Sequence, residues 1–304
     1  DLLNSINYNN LNKIDDSILL IEWKQLKELM WKKNCTIAPN RFIKSIQYVS
    51  NSKDLELFSG YAQNDLPEFL MFIIDSFNNS LKRKVNMNIC GIQKNETDKL
   101  AIECYKMIKE YYSENYSELL DIFYGTHISI IEDSTNNDIL VNKPEPFCLL
   151  DLPIPEKNNI TIYDCFDNYL IKEELTDSNK YYNSKSKSYI DVYKYILFWS
   201  LPNILIINLK RFDNKNRKIN KLVNCPIQNI DLRKYVVGYD KESYIYELFG
   251  VTNHSGGSLG GHYTSYVKHC NNNKWFHFND TNVTELNESM INNQNAYTFF
   301  FKKS

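Results

Sequence analysis

The sequence has 304 residues, of which 43% are hydrophobic and 24% charged, and its formal net charge is -2. This length suits one large domain or two ordinary ones, and the composition is that of a folded soluble protein. We find no basic stripe with interleaved aromatic residues, which argues against nucleic-acid binding, and no apolar run long enough for a transmembrane helix.

The cysteines number seven, and no two are spaced as Cys-x-x-Cys. An odd number of cysteines, none of them in a Cys-x-x-Cys pair, disfavours both a zinc ribbon and a disulfide framework. We therefore expect reduced thiols and an intracellular location, cytoplasmic or nuclear. Nothing in the sequence calls for a cofactor. The seven are Cys35, Cys90, Cys104, Cys148, Cys165, Cys225 and Cys270.

The first third of the chain has the periodicity of amphipathic helices. From Ser17, apolar residues recur at steps of three and four, and Pro39 can open a second helix. The residues that carry the first pattern are Leu19, Trp23, Leu26 and Met30.

A third helix is predicted after the segment 58–70. Asp65 and Glu68 have the spacing of a capping box, and Pro67 is tolerated in a first helical turn. Capping alone would explain both acidic residues. The face predicted to be buried carries Phe69, Ile73, Phe77 and Leu81.

Beyond a polar connection at residues 82–97, another helix is predicted from about Asp98, with Cys104 as a small core residue. After Gly125 the pattern changes to that of strands, apart from a short helix at 161–170. Helices followed by strands indicate an α+β fold, with a helical lobe against an antiparallel sheet. The predicted strands are Thr126–Ile131, Asn203–Leu209, Tyr244–Thr252, His262–His269, Lys274–Asn279 and Tyr297–Lys302.

The stretch 251–280 holds four of the nine glycines and four of the five histidines. Gly260 and Gly261 directly precede His262, and glycine lets a backbone adopt positive φ or approach a ligand closely. His262 is therefore expected at a strand entrance that is open to a groove.

A turn centred between Cys270 and Asn271 would place His262 directly opposite Asn279, within ~5 Å at Cβ. Asn279 could then hold the imidazole in one tautomer, as the third member of a catalytic triad does. The same pattern also fits an ordinary loop beside a strand. Metal binding is a weaker alternative, because no acid or thiol completes a set of ligands. The histidines concerned are His254, His262, His269 and His277.

Three motifs, in this order, resemble the catalytic domain of ubiquitin-specific proteases, cysteine peptidases that remove ubiquitin. Phe58-Ser-Gly-Tyr-Ala-Gln-Asn-Asp-Leu-Pro-Glu-Phe-Leu70 is similar to the family's Gln-Gln-Asp…Glu-Phe-Leu box. Leu201-Pro-Asn-Ile-Leu-Ile-Ile-Asn-Leu-Lys-Arg-Phe212 resembles its Leu-Pro…Leu-Lys-Arg-Phe strand. Gly261-His262-Tyr263, followed by Trp275-Phe-His-Phe-Asn-Asp280, resembles its histidine box.

The resemblance implies a papain-like cysteine protease fold with thumb, fingers and palm. The thumb would be helical and span about residues 1–120, the fingers about 121–200, and the palm about 201–304. The implied partners are ubiquitin and ubiquitinated proteins, with no nucleic acid, no membrane and no cofactor.

The resemblance also implies roles for individual residues. His262 would be the general base, Asn279 its orienting residue, and Asp280 a neighbour that shares this role. Residues 253–261 would form a mobile blocking loop over the ubiquitin tail. The residues expected to bind that tail are Gln63, Asp65, Glu68, Phe212, Gly261 and Tyr263.

The sequence departs from the family at the fingertips. Where the family often has two Cys-x-x-Cys pairs, this chain has no thiol, and we predict no structural zinc. The corresponding positions are Asp133, Asn136, Asn183 and Ser186.

A second departure concerns the nucleophile, because nothing matches the family's Gly-Asn-Thr-Cys-type box. Cys35, in Lys-Asn-Cys-Thr, is the nearest imitation, but no predicted helix begins on it, and a catalytic thiol needs a helix N-terminus or a cation to lower its pKa. We therefore expect the box upstream of residue 1.

Two functional hypotheses follow. The first is a deubiquitinase in which the chain as given is inactive without its nucleophile segment. The second is a ubiquitin-binding module that has lost catalysis. An unrelated α+β protein with chance motifs is the third alternative.

Overall fold

The computed structural model describes residues 6–32, 35–60, 62–258 and 260–304. It divides into two compact units, which are treated separately below. Unit 1 comprises residues 1–87 and 109–122, and unit 2 comprises residues 88–108 and 123–304.

The α-helices of the described chain lie mostly in its first third, as the periodicity predicted. The short helix predicted after residue 160 is also present. The helices are α1 (Asp16–Lys32), α2 (Asn40–Ser52), α3 (Leu66–Leu81), α4 (Glu96–Asn115), α5 (Glu118–Phe123) and α6 (Ile162–Tyr169).

Strands dominate the rest of the chain, which confirms the mixed α+β fold. The sequence patterns missed β2 and β8 in particular, since these strands alternate less regularly. The strands are β1 (Gly125–Asp133), β2 (Ile139–Phe147), β3 (Leu149–Pro153), β4 (Ile160–Thr161), β5 (Glu173–Leu175), β6 (Tyr181–Asn183), β7 (Ser188–Ile190), β8 (Val192–Ser200), β9 (Ile204–Lys210), β10 (Val223–Asn224), β11 (Ile230–Asp231), β12 (Ile245–Gly257), β13 (Gly260–Lys268), β14 (Trp275–Asn279), β15 (Asn282–Leu286) and β16 (Ala296–Lys303).

The core of unit 1 forms where α1 packs against α2 and α3. Leu19 and Leu20 of α1 are fully buried, and the ring of Trp23 lies 5.5 Å from that of Phe42. Met30 was expected on this face but is exposed, because the last turn of α1 extends beyond the core.

The buried face of α3 differs from the predicted one. Phe72, Ile74 and Phe77 are buried, whereas Phe69 and Ile73 are only half-buried. In the first half of this helix, apolar residues lie on most sides. Periodicity alone therefore could not identify which face would be buried. The ring of Phe58 lies 4.9 Å from that of Phe72 and 5.7 Å from that of Phe69, and the ring of Trp23 in α1 lies 6.4 Å from that of Phe77.

The capping box predicted at α3 does not form. Asp65 occupies the N-cap position with an extended backbone, but its side chain makes no capping hydrogen bond. Pro67 stands in the first turn and has no N–H, which removes one of the two donors that an N-cap side chain usually accepts.

Unit 2 is built around a large sheet in the order β15-β14-β13-β12-β16-β9-β3, with β11 added beside β12. Its strands pair antiparallel except for β3 and β9, which are parallel. A second sheet has the order β2-β1-β8-β5. The main core of unit 2 includes Trp275 and Phe299, each at most 1% exposed, beside α6.

The four positions that correspond to the family's zinc ligands lie at or beside two hairpin turns, and each forms a local hydrogen bond. Asp133 accepts from the Thr135 amide at 2.8 Å, and Asn183 accepts from the Lys185 amide at 2.9 Å. The other two are Asn136, bonded to Asp138, and Ser186, bonded to Ser188. These side chains stabilise turns, which is a role that needs no metal.

A carboxylate buried in the four-stranded sheet is paired with a half-exposed lysine and with a tyrosine of the neighbouring strand. Glu132 of β1 is 6% exposed and accepts hydrogen bonds from Lys172 at 2.8 Å and from the Tyr195 hydroxyl at 2.7 Å. These two hydrogen bonds lower the pKa of Glu132. Such a carboxylate adds stability above its unfolded-state pKa, and that stability is lost as the pH falls through the folded-state pKa.

We expect Glu132→Gln to lower the free energy of unfolding at pH 7 by about 1–3 kcal/mol, because charge-assisted hydrogen bonds are lost in a buried place. The difference from the wild type should shrink as the pH falls below about 4.3, the unfolded-state pKa of glutamate. Urea denaturation at a series of pH values measures both effects. The exposed Glu174→Gln is the matched control, and an equal loss there would contradict the assignment.

Candidate active site

The histidine box folds as the meander β12-β13-β14. His262 pairs with Ser255 of β12, and Tyr266 pairs with His277 of β14. The turn between β13 and β14 is centred one residue later than predicted, so that Lys268 pairs with Trp275. The expectation that His262 lies directly opposite Asn279 is therefore wrong by a register of two residues.

His262 and Asn279 nevertheless meet, because a shift of two residues keeps a side chain on the same face of a sheet. The pair is diagonal, and Nε2 of His262 lies 2.8 Å from Oδ1 of Asn279. An amide oxygen only accepts hydrogen bonds, so Nε2 of the neutral imidazole carries the proton. Nδ1 then has the lone pair and can accept a proton.

Asp280 is a weaker neighbour of the same imidazole. Its Oδ2 lies 3.9 Å from Nε2 of His262, and the side chains are 77% and 50% exposed, respectively. An ion pair this exposed contributes little. Asp280 has a φ of 51° in the two-residue loop between β14 and β15, a left-handed conformation that aspartate tolerates.

The backbones of β12 and β13 approach each other closely just before His262. A Cβ atom on Gly261 would lie 2.2 Å from Nε2 of His254 and 2.4 Å from the carbonyl oxygen of Ser255. Gly256 has a φ of 122°, and a Cβ there would lie 2.6 Å from Cα of Gly261. Gly261 therefore requires glycine for space, and Gly256 requires it for both space and conformation.

The predicted blocking loop is largely strand. The pairing of β12 with β13 continues from His254 opposite Tyr263 to Gly257 opposite Gly260. Leu259, within the predicted loop, lies outside the described residues. Alternating polar residues and glycines concealed these strand ends from the sequence patterns, because glycine has low strand propensity.

An aromatic cluster brings together two of the residues expected to bind the ubiquitin tail. The ring of His254 lies 6.0 Å from that of Phe212 and 4.7 Å from that of Tyr263. Tyr297 completes the cluster, 5.6 Å from His254. Phe212, Gly261 and Tyr263 thus meet around His254, which sequence reasoning considered only as a metal ligand.

Two cations fix the backbone behind this cluster. Lys218 donates to the carbonyl oxygen of His254 at 2.5 Å, and Arg211 donates to that of Ala296 at 2.6 Å. Arg211 is fully buried, and burial lowers its pKa to about 10. The sequence motif around Arg211 was recognised, but its structural role appears only from these contacts.

The remaining predicted tail-binding residues belong to unit 1. Gln63 and Asp65 precede α3, and Glu68 lies exposed in its first turn. Glu68 also lines a cavity of about 520 Å³ together with Phe58 and Asp75.

Within the described residues, no α-helix begins on a cysteine. Burial raises the pKa of Cys104 and of Cys165 to about 12, and Cys148 and Cys225 are also buried. Cys35 is exposed between α1 and α2, and no helix begins on it. The other exposed thiols are Cys90 and Cys270.

Within the described ranges, no three histidine, cysteine, aspartate or glutamate side chains cluster closely enough to hold a metal ion. Over the same part of the chain, no helix is long and apolar enough to cross a membrane.

The family model for ubiquitin carboxyl-terminal hydrolases matches residues 1–301. The chain belongs to the ubiquitin carboxyl-terminal hydrolase family. This membership confirms the resemblance drawn from the three sequence motifs.

Relatives within this family differ in length. A mimivirus protein, described as a probable ubiquitin carboxyl-terminal hydrolase of Acanthamoeba polyphaga mimivirus, is 27% identical over 99% of this chain and 74% of its own length. Ubiquitin carboxyl-terminal hydrolase 2 of Gallus gallus is 29% identical over 93% of this chain and 80% of its own. Ubiquitin carboxyl-terminal hydrolase 10 of Arabidopsis thaliana is 39% identical, but over 48% of this chain and 16% of its own.

A solved structure of the SAGA DUB module of Ubp8, Sgf11, Sus1 and Sgf73, bound to monoubiquitin, contains the same fold. Its matching chain has a TM-score of 0.74 and 22% identity, over 99% of this chain and 62% of that chain. This likeness confirms the expected ubiquitin-specific protease fold.

We expect the His262 imidazole to be protonated at Nε2 in its neutral form. The substitution Asn279→Ala should remove the preference for a proton on Nε2, because the oxygen that accepts its hydrogen bond is lost. Two-bond ¹H–¹⁵N spectra of the imidazole report the tautomer directly. Asn282→Ala, on the opposite strand of the same tight loop, is the control and should leave the tautomer unchanged.

We expect Gly261→Ala to destabilise the hairpin by about 1–3 kcal/mol, as overpacking does in other proteins. The new methyl group would meet both a buried ring and a backbone carbonyl. Thermal unfolding measures the loss. Gly257→Ala is the matched control, since a Cβ there has open space; an equal effect at both positions would contradict the steric argument.

Proposed function

We propose that the full-length protein is a cysteine-type deubiquitinase, which hydrolyses the bond after the C-terminal glycine of ubiquitin. The observation that carries this proposal is the His262–Asn279 pair, set in a chain that belongs to the ubiquitin carboxyl-terminal hydrolase family. The nucleophile would come from a segment outside these 304 residues, upstream of residue 1. The partners would be ubiquitin and ubiquitinated proteins inside the cell.

The tautomer sets the direction of proton transfer. Nδ1 of His262 would take the proton of the cysteine thiol, while Asn279 would stabilise the protonated imidazole through Nε2. The thiolate would attack the glycine carbonyl carbon, and the amine would leave with the proton from the imidazole. Water, deprotonated by His262, would then attack the thioester and release the ubiquitin carboxylate and the free thiol.

Asp65 and Glu68, at the start of α3, would hydrogen-bond the basic tail of ubiquitin. Glu68 is exposed in the first turn of this helix, which supports this role. Around His254, the aromatic cluster with Phe212 and Tyr263 would surround the terminal glycines. The thumb would span about residues 1–120, of which residues 88–108 belong to unit 2 and the rest to unit 1; the fingers would span about 121–200 and the palm about 201–304.

A second candidate function is a ubiquitin-binding module without catalysis. The observation that favours it is the chemistry of the thiols, four of which are buried. Cys270 lies in the turn that follows β13, eight residues beyond His262 in sequence. Without its upstream segment, the chain as given is expected to bind ubiquitin and to hydrolyse nothing.

We expect the full-length protein to release the fluorophore from a ubiquitin C-terminal fluorogenic substrate. His262→Ala should lower kcat by about 100-fold or more, because a general base is lost. Asn279→Ala should also lower kcat. Glu68→Lys should mainly raise KM, because it would repel a basic tail.

His277→Ala is the matched control, since this histidine lies on the same face of β14 but packs against Tyr266. Turnover that survives His262→Ala would exclude the proposed mechanism. Ubiquitin binding without any turnover by the full-length protein would instead establish the binding module.

A further inference from the structure

His254 lies where β12 loses one of its neighbouring strands. The pairing of β12 with β16 ends at Asn253, opposite Ala296, and its register shifts just before this pair. From His254 to Gly257, β12 is still paired with β13. Because the β16 ladder does not reach this end of β12, other groups fix the backbone at His254.

Two hydrogen bonds hold the backbone of His254. Its amide donates to the carbonyl oxygen of Asn295 at 2.8 Å, and its own carbonyl oxygen accepts from the Lys218 ammonium at 2.5 Å. The second bond is charge-assisted, and such bonds are stronger than those between neutral groups. Lys218 is half-buried, which strengthens the bond further because the surroundings are less polar than water.

The ring of His254 contacts the residues on both sides of His262. A Cβ atom on Gly261 would lie 2.2 Å from Nε2 of His254, so this ring lies directly against the Gly261 backbone. On the other side of His262, the ring of Tyr263 lies 4.7 Å from that of His254. His254 is 6% exposed, and a shift of its ring must displace these packed neighbours. The His254 ring therefore determines where the backbone of His262 lies.

Lys218 belongs to a short hairpin that also contacts the His254 ring. We call residues 211–219 the supporting hairpin. Phe212 and Lys218 form an antiparallel bridge within it, and the Phe212 ring lies 6.0 Å from that of His254. The same hairpin thus holds both the ring and the backbone of His254.

Hydrogen bonds at both ends fix the supporting hairpin itself. At its turn, the Asp213 carboxylate accepts from the amides of Lys215 and Arg217 at 2.8 and 2.9 Å, and from the Arg217 guanidinium at 2.7 Å. At its base, the Ile219 amide donates to the carbonyl oxygen of Arg211 at 2.6 Å. The side chains of this hairpin consequently extend from a fixed backbone.

We propose that Lys218 is a positioning residue for His262. Its hydrogen bond keeps the His254 ring against the backbone on both sides of His262, and this contact sets the place from which the imidazole reaches Asn279. The inference rests on the proposed hydrolysis, in which His262 is the general base. Lys218 lies outside the three sequence motifs that carry the family resemblance.

The first measurement uses this chain and needs no turnover. Two-bond ¹H–¹⁵N spectra report the proton on Nε2 of His262, which the hydrogen bond to Asn279 favours. Lys218→Met removes the donor but keeps a long side chain, and we expect a partial loss of the Nε2 preference. Lys218→Arg keeps a cationic donor and should retain this preference. Spectra are recorded well below the unfolding temperature, so that a loss of stability alone does not alter them.

The second measurement uses the full-length protein and a fluorogenic ubiquitin substrate. Lys218→Met should lower kcat about tenfold, because small displacements of a catalytic group slow a reaction strongly. KM should change less, and Lys218→Arg should restore most of kcat. Lys221→Met is the matched control, since Lys221 also donates to a backbone carbonyl, that of Pro155 at 3.4 Å. It should leave both kcat and the tautomer unchanged.

The outcomes separate this inference from the proposed hydrolysis. Turnover that survives His262→Ala would exclude the hydrolytic mechanism and, with it, the positioning role. If His262→Ala abolishes turnover while Lys218→Met and Lys221→Met share the same kcat and the same His262 tautomer, the positioning role alone is overturned. A rise in KM at unchanged kcat would overturn it too. Should Lys218→Met not fold, the shorter polar variant Lys218→Gln takes its place with the same expectations.

Discussion

The candidate active site depends on the close approach of two backbones, β12 and β13, at Gly256 and Gly261. Neither position has room for a side chain, and the ring of His254 occupies the space that a residue at 261 would need. His262 follows directly, so its backbone is placed by this contact. Asn279 then completes the site from β14, and its amide oxygen orients the imidazole.

Two cations hold the backbone around this close approach in place. Lys218 bonds to the carbonyl oxygen of His254, and the buried guanidinium of Arg211 bonds to the backbone at the start of β16. Buried cations without a carboxylate partner are costly, and carbonyl dipoles offset only part of that cost. Arg211 is tolerated because it joins three carbonyl groups of separate segments, from Ala296, Ile219 and Lys221.

Side-chain hydrogen bonds stabilise the extended strands of the four-stranded sheet. At the positions of the family's zinc ligands, this chain has side chains that bond within their own turns. Glu132 provides the connection between strands through Lys172 and Tyr195. A buried carboxylate that accepts several hydrogen bonds can hold a local geometry that the turns by themselves leave less constrained.

Several features could be predicted from the sequence by itself. The order of helices and strands follows from local periodicity, and the contact between His262 and Asn279 followed from a glycine-flanked histidine and a strand partner of the right parity. A register error of two residues leaves a side chain on the same face of the sheet, so His262 and Asn279 still meet. The family resemblance was carried by short motifs and is confirmed over residues 1–301.

Only the tertiary structure decided which neighbours these residues have. The buried face of α3 is the one that packs against Phe58 and α1, and no side-chain hydrogen bond caps this helix at Asp65. The place of His254 beneath Gly261, the buried position of Arg211 and the hydrogen bond from Lys218 to His254 all result from contacts between residues distant in sequence. Such contacts depend on how strands pair and pack, and local patterns contain no information about them.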